Sequence, residues 1–366
     1  MPFLDKLIAN TIRDVVRNDE SYHVPDSTGF IKLDAMENPY ALPLHMRAEL
    51  GRRLADAVLN RYPVPSYASL KHKLCARMGV PHGYDVILGN GSDELISMIA
   101  TAITGGQRRP VIMAPVPAFV MFARTAMLAG CEFVGVPLRE DFTLDKDAML
   151  AAIREHRPAA VFLAYPNNPT GNLFDENDIV EIIQELGERG IAILDEAYAP
   201  FARSSFMARL PEFENMIVMR TVSKLGLAGI RLGYMSAAPA LLAQFEKVRP
   251  PYNINVLTQL AAEFALDHID LLNEQAALIV AARGALAAEL SALPGVTVYP
   301  SSANFLLVRV PDAGATITQL NADKVLVKNV SKMHETLANC IRVTVSTPEE
   351  NAAFLDAFKA SLMPQS

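Results

Sequence analysis

TVSKLGLAGIRLGY, residues 221–234, is the stretch from which the rest of this chain is read. It sets one lysine, Lys224, between Ser223 and a glycine-rich loop, and Arg231 follows seven residues on. The apolar run MIVM at 216–219 lies just before it, and residues 225–232 carry no charge besides Arg231. Most lysines are solvated surface ammonium ions. These neighbours fit that reading poorly. An ammonium in apolar surroundings is destabilised, its pKa falls, and the neutral amine becomes available as a nucleophile. A lysine that forms a Schiff base needs that property. On this local pattern alone the two readings stand level.

Three further motifs shift the balance. DEAY, 195–198, closes the strand-like run 191–194. An acid delivered at the carboxyl end of a buried parallel strand sits where open α/β sheets bind ligands, although an acid there also suits a helix N-cap. YPNNPTG, 165–171, follows the run 161–164 and specifies a tight turn. LGNGSDEL, 88–95, joins a short strand to a helical run, so its glycines, Ser92 and Asp93 offer free backbone N–H groups to an anion. Singly, the last two are weak signals.

In this order the four motifs resemble the fold-type I aminotransferases that use pyridoxal phosphate, and the resemblance runs from LDAMENP at 33–39 to RVTVSTP at 342–348. It implies that Lys224 holds the cofactor covalently and that Asp195 pairs with the pyridine nitrogen. Tyr198 and Asn168 would bond the ring oxygen. Gly91, Ser92, Asp93, Ser223 and Arg231 would hold the cofactor phosphate, and Phe119, in PVPAFVMF at 115–122, would stack on the ring. The chemistry is consistent with these roles. A buried carboxylate keeps a ring nitrogen protonated, which makes the ring an electron sink. A phosphate dianion suits a helix N-terminus with a guanidinium fork. Two donors on the ring oxygen would keep it anionic.

VRNDESYHVP at 16–25, LDAMENPY at 33–40 and RYP at 61–63 are similar to the histidinol-phosphate aminotransferase subgroup. That narrower resemblance implies exchange of an amino group between histidinol phosphate and 2-oxoglutarate, the reverse direction using glutamate. It implies a homodimer in which Tyr62 reaches the partner's cofactor phosphate. Tyr22 would touch the substrate phosphate. Arg342 would bind the glutamate carboxylate in one half-reaction and the substrate phosphate in the other, assisted by Lys328 and Asn168. The chain departs from the subgroup's pattern with Met36 where Asn is common, Lys328 where Arg is common, Phe119 for Tyr, and Ser346 for Gly. Lysine keeps the charge at 328 but lacks the bidentate fork. A decarboxylase of threonine phosphate and a broad aromatic aminotransferase share the cofactor constellation and remain alternatives. A ligand-sensing regulator on the same fold would carry a basic helix-turn-helix, which is not seen ahead of the motifs.

Composition sets bounds. At 366 residues with 51% hydrophobic content, the chain can bury more than one core. Net charge is −7 with both signs interspersed, which argues against a nucleic-acid partner. Cys75, Cys131 and Cys340 are odd in number and widely spaced, as in a reduced cytoplasmic protein. Histidines and cysteines show no metal-ligand spacing. No apolar run is long enough to span a membrane and no signal-like segment opens the chain.

Strand-like runs at 86–88, 111–114, 132–136, 160–164, 191–195 and 216–221 alternate with helical stretches at 92–104, 119–129, 145–155 and 175–189. That alternation predicts an α/β fold with a central, mostly parallel sheet and helices on both faces. After residue 250 the pattern changes. Helices at 256–268 and 269–292 lead to strands at 296–299, 304–310, 325–328 and 341–345 and a last helix at 348–361, a smaller α+β domain. The expected division is 1–45, packing on the smaller domain, 46–250, the cofactor domain, and 251–366, with Pro250 and Pro251 as hinge.

Overall fold

The computed structural model describes residues 3–21, 24–106 and 109–363. Its strands are β1 (Ile31–Leu33), β2 (Val86–Gly89), β3 (Val111–Val116), β4 (Glu132–Pro137), β5 (Ala160–Ala164), β6 (Ile191–Asp195), β7 (Met216–Thr221), β8 (Gly233–Ala237), β9 (Thr297–Val298), β10 (Phe305–Arg309), β11 (Val325–Asn329) and β12 (Cys340–Thr344). Seven form the larger sheet, in the order β2-β8-β7-β6-β5-β3-β4. Pairing from β4 through β7 is parallel, and β8 runs antiparallel to both of its neighbours.

A parallel sheet is covered on both faces, so its strands read as continuous apolar runs. Every residue of β5 is buried. Alternate residues serve opposite cores, as the period of two requires. Val161, Leu163, Leu194 and Val218 pack on one face, and Phe162, Ile193, Ile217 and Met219 on the other. The strand β8 had no counterpart among the expected strands. Its sequence GYMSA is short and carries glycine and serine, so its apolar signal is weak.

The smaller sheet runs β1-β11-β12-β10-β9. Its core joins Leu306, Val308, Ile341 and Val343 to Phe354 and Phe358 of the last helix, Pro348–Ser361. The N-terminal segment divides between the two units. β1 adds to the smaller sheet by pairing in parallel with β11. The helix Asp14–Arg17 instead lies against the helix Val120–Ala129, and Arg124 pairs with Asp19 at 2.8 Å. The helix Val256–Asp267 packs on Leu44–Ala55 and Ala68–Arg77, whereas Ile269–Ser291 touches both the turn Ser223–Leu225 and the strands β9 and β10.

Candidate active site

Parallel pairing fixes the first part of the site. Ala164 and Asp195, the last residues of β5 and β6, stand in register with each other and with Met219 of β7. Asp195 is therefore the last residue of a central strand, and its side chain is buried. One oxygen accepts from the Ala197 N–H at 3.1 Å. Burial, followed by the neighbouring charges of Asp93 and Glu196, raises this carboxyl from 3.8 to about 7.

The turn after β5 aims Asn168 at the same space. Asn167 holds the turn by donating to the Pro117 carbonyl at 3.0 Å and to Thr170 at 2.8 Å, and Gly171 accepts the required positive φ of 82°. The Asn168 amide then bridges two walls. Its nitrogen donates to the Tyr198 hydroxyl at 3.0 Å and its oxygen accepts from Arg342 at 2.6 Å. Tyr198 is buried, and that burial pushes its phenol well above the usual range.

Lys224 projects from a 3-10 turn at the end of β7. Its amine donates to the Ala35 carbonyl at 3.0 Å and lies 5.9 Å from the Tyr198 ring centre. Burial lowers its pKa from 10.5 to about 8, and the Arg342 charge adds to that effect. The Thr221 hydroxyl lies 2.9 Å from that of Ser223 and accepts the Ser223 N–H at 3.1 Å.

An anion cradle borders this group. Gly91 precedes the helix Ser92–Ile103, whose first N–H groups have no intrahelical acceptor. Gly91 has φ 80°, and a Cβ there would lie 2.5 Å from Nη2 of Arg231. The positive φ therefore favours glycine, and a side chain there would displace the guanidinium. Arg231 itself takes a positive φ of 52° and stands 3.5 Å from Asp93. Met36, Ser92, Asp93, Phe119, Asn168, Asp195, Tyr198, Ser223, Lys224 and Arg231 line one cleft. Phe119 caps the helix Val120–Ala129 and meets Phe122 edge-on at 5.7 Å.

The smaller sheet supplies the opposite wall. Arg342, on β12, is buried, and its Nη2 donates to the Asp34 carbonyl at 2.8 Å. Lys328, on β11, is its direct antiparallel partner. Opposed residues project to the same face of a sheet, so two cations share one patch. Tyr62 does not line the cleft. It is 80% exposed and stacks on Tyr252 at 4.6 Å. Tyr22 lies outside the described residues.

The segment 34–38 entered the sequence reading as part of the LDAMENPY motif, with no role given to its individual residues beyond Met36. The segment is fixed from both units. Thr344 accepts the Met36 N–H at 3.0 Å and Asn304 donates to the Met36 carbonyl at 2.9 Å, while Asn38 donates to Leu225 and Gln275. Two of these four contacts are made by the Met36 backbone, which leaves no side-chain signature, and two by the Asn38 amide. Thr221 was also missed, although a hydroxyl two residues before Ser223 was a usable signal. Among the described residues no group of three or more His, Cys, Asp or Glu could hold a metal ion, and no helix is long and apolar enough to cross a membrane.

A family model described as aminotransferase class I and II matches residues 28–358. Histidinol-phosphate aminotransferase 1 of Ralstonia nicotianae is 59% identical over 366 residues, covering 99% of this chain and 97% of that protein. Histidinol-phosphate aminotransferase 2 of Cupriavidus pinatubonensis is 61% identical over 359 residues, covering 97% and 98%. Among solved structures, histidinol-phosphate aminotransferase from Sinorhizobium meliloti in complex with pyridoxal-5'-phosphate superposes with a TM-score of 0.85 at 23% identity, covering 96% of this chain and 97% of that one. L-threonine-O-3-phosphate decarboxylase from Porphyromonas gingivalis gives 0.75 at 21%, covering 90% and 99%. At such identities the structural likeness establishes the fold alone and does not separate transaminase from decarboxylase.

Proposed function

The chain belongs to the class I and II aminotransferases, and from that premise we propose that it uses pyridoxal phosphate to exchange an amino group between histidinol phosphate and 2-oxoglutarate. Relatives named for that activity at 59% and 61% identity over nearly the whole chain support the substrate assignment.

The donor set fits the cofactor. The glycine at 91 leaves the helix N-terminus and the Arg231 guanidinium open to a phosphate. Asp195 is a buried carboxylate raised to about 7, and a protonated ring nitrogen is the cation that would keep it ionised. Asn168 and Tyr198 already meet through a hydrogen bond where a ring oxygen would be received. When bound, pyridoxal phosphate supplies an electron sink for charge developing at the substrate α-carbon.

The protein's own groups do the rest. Lys224, with its pKa near 8, has an appreciable neutral fraction at cellular pH, so it serves both as the attachment amine and as the base that takes the proton from the substrate α-carbon. Arg342 orients the acidic end of either substrate, because one guanidinium fork accepts a carboxylate or a phosphate. Lys328, opposite it, adds the charge that a phosphate dianion calls for. The pairing of Lys328 with Arg342, whose guanidinium bonds Asn168 beside Tyr198, supports the reading. The resemblance assigns Tyr22 the further contact to the substrate phosphate. Tyr62, exposed and outside its own cleft, completes the partner's cofactor site in a homodimer. The three cysteines are unbridged, in keeping with a reducing cytoplasm.

The deciding measurement is kcat/KM for histidinol phosphate against phenylalanine, tyrosine and threonine phosphate with 2-oxoglutarate as acceptor, with released carbon dioxide followed in parallel. Preference for histidinol phosphate with keto-acid exchange supports the proposal. Carbon dioxide from threonine phosphate would replace it with the decarboxylase reading.

A further inference from the structure

Behind the cofactor wall lies a buried ion pair that the reaction does not touch. Glu196 follows Asp195 directly, and its side chain is fully buried against Arg220. Arg220 Nε donates to one Glu196 oxygen at 2.9 Å, Nη2 approaches the same oxygen at 2.8 Å and the Ser205 hydroxyl at 2.6 Å, and Nη1 donates to the Met78 carbonyl at 2.9 Å. The other Glu196 oxygen accepts the Phe206 N–H, and Ser205 donates to both. Arg220 is the penultimate residue of β7. The pair thus ties the end of the strand bearing Asp195 to the end of the strand that feeds Thr221, Ser223 and Lys224.

Two observations argue that this tie is more than a core contact. Thr221 borders the cofactor cleft and also a second cavity, lined among others by Glu196, Ser205, Arg220 and Tyr234. A cavity therefore lies behind the end of β7, and the ionic network lines it. Buried ion pairs, moreover, contribute little net stability compared with apolar residues of the same volume, and their clearest use is to fix one geometry. We propose that Glu196 and Arg220 are positioning residues for the amino-transfer reaction, holding the ring acid Asp195 and the amine Lys224 at a set separation across the ends of β6 and β7.

The inference rests on the cofactor reading above. Its test uses full-length holoenzyme with two variants. Arg220→Lys keeps the charge but cannot reach Glu196, Ser205 and the Met78 carbonyl together. Glu196→Leu combined with Arg220→Met removes both charges at similar volume. Four quantities are read: thermal unfolding of the apoprotein, pyridoxal phosphate bound per chain, kcat per bound cofactor with KM for glutamate, and the pH midpoint of the bound cofactor's visible absorbance. A positioning role gives a folded protein whose kcat per bound cofactor falls roughly 10- to 100-fold, with KM for glutamate nearly unchanged and the absorbance midpoint displaced. Wild-type kcat per bound cofactor and an unmoved midpoint in either folded variant overturn it, even if the melting temperature drops. Should the double variant not fold, Arg220→Lys decides by the same criteria. Failure of the cofactor reading is separate, since wild-type protein would then show neither bound cofactor nor transamination.

Discussion

The amine of Lys224 donates to the carbonyl of Ala35 at 3.0 Å, across 189 residues of chain. One residue earlier, the Asp34 carbonyl receives the guanidinium of Arg342. Two adjacent carbonyls of a single segment therefore orient the nucleophilic amine and the anion-binding cation. Folding itself fixes both directions, which is the kind of preorganisation that limits rearrangement during reaction.

Replacing Lys224 with Ala should abolish turnover and the visible absorbance of covalently held cofactor. The phosphate cradle at Gly91, Ser92 and Arg231 is separate, so pyridoxal phosphate should still bind without the covalent link. An absorption spectrum and a stopped assay check both. Near wild-type turnover would remove Lys224 from the chemistry.

Asp195 gives a pH prediction whose sign is fixed. Its folded-state pKa lies at about 7, above the ordinary carboxyl value of 3.8. The native apoprotein therefore holds a proton between those values that the unfolded chain has released. This contribution to stability is full below about pH 4 and is lost as pH rises to about 7. Asp195→Asn should not show that loss. Above pH 7 the variant apoprotein should be the more stable, by an amount approaching about 4 kcal/mol as an upper bound. Its transamination rate should nevertheless fall by more than the ~10²–10⁴-fold attributed to general-base catalysis. Urea unfolding at pH 5 and pH 8 measures the first effect, and a stability difference that did not vary with pH would refute it.

Lys328 and Arg342 should separate the two substrates. Removing a charge-assisted hydrogen bond costs roughly 1.5–3 kcal/mol, about 10- to 150-fold in affinity. Lys328→Ala should raise KM for histidinol phosphate by such a factor and leave glutamate nearly unchanged. Arg342→Ala should impair both. Equal weakening of the two substrates by Lys328→Ala would make the lysine a support for Arg342 or for the fold.

Tyr62 should act in trans. Tyr62→Ala and Lys224→Ala proteins should each be strongly impaired as pure species. Mixed dimers of the two would contain one site with Lys224 from one chain and Tyr62 from the other, both intact. Activity should therefore recover on co-expression beyond the sum of the parents. Strict additivity, or a fully active monomer in sedimentation, would exclude a shared site.

The sequence made some parts of this arrangement legible and hid others, for physical reasons. Lys224, Asp195, Asn168 and Tyr198 stand at strand ends, where an abrupt change from apolar to polar residues marks them, and the fold brings all four to one cleft. The carbonyls of Asp34 and Ala35 gave no signal, because any residue presents the same oxygen. β8 was missed because its short GYMSA sequence mixes small and polar residues with apolar ones. Arg220 read as a strand residue, and only its three-dimensional neighbours reveal the pair with Glu196.

The bond from Arg342 to the Asp34 carbonyl spans 308 residues. During synthesis, a nascent chain can complete the larger sheet well before β12 has emerged. The wall opposite Lys224 cannot form until β12 pairs with β11, the strand that β1 also joins. Contacts of such long sequence separation form late and slowly. Acquisition of the catalytic cleft should accordingly be among the final events of folding, so that a growing or truncated polypeptide carries the reactive amine without the apparatus that directs it to a substrate.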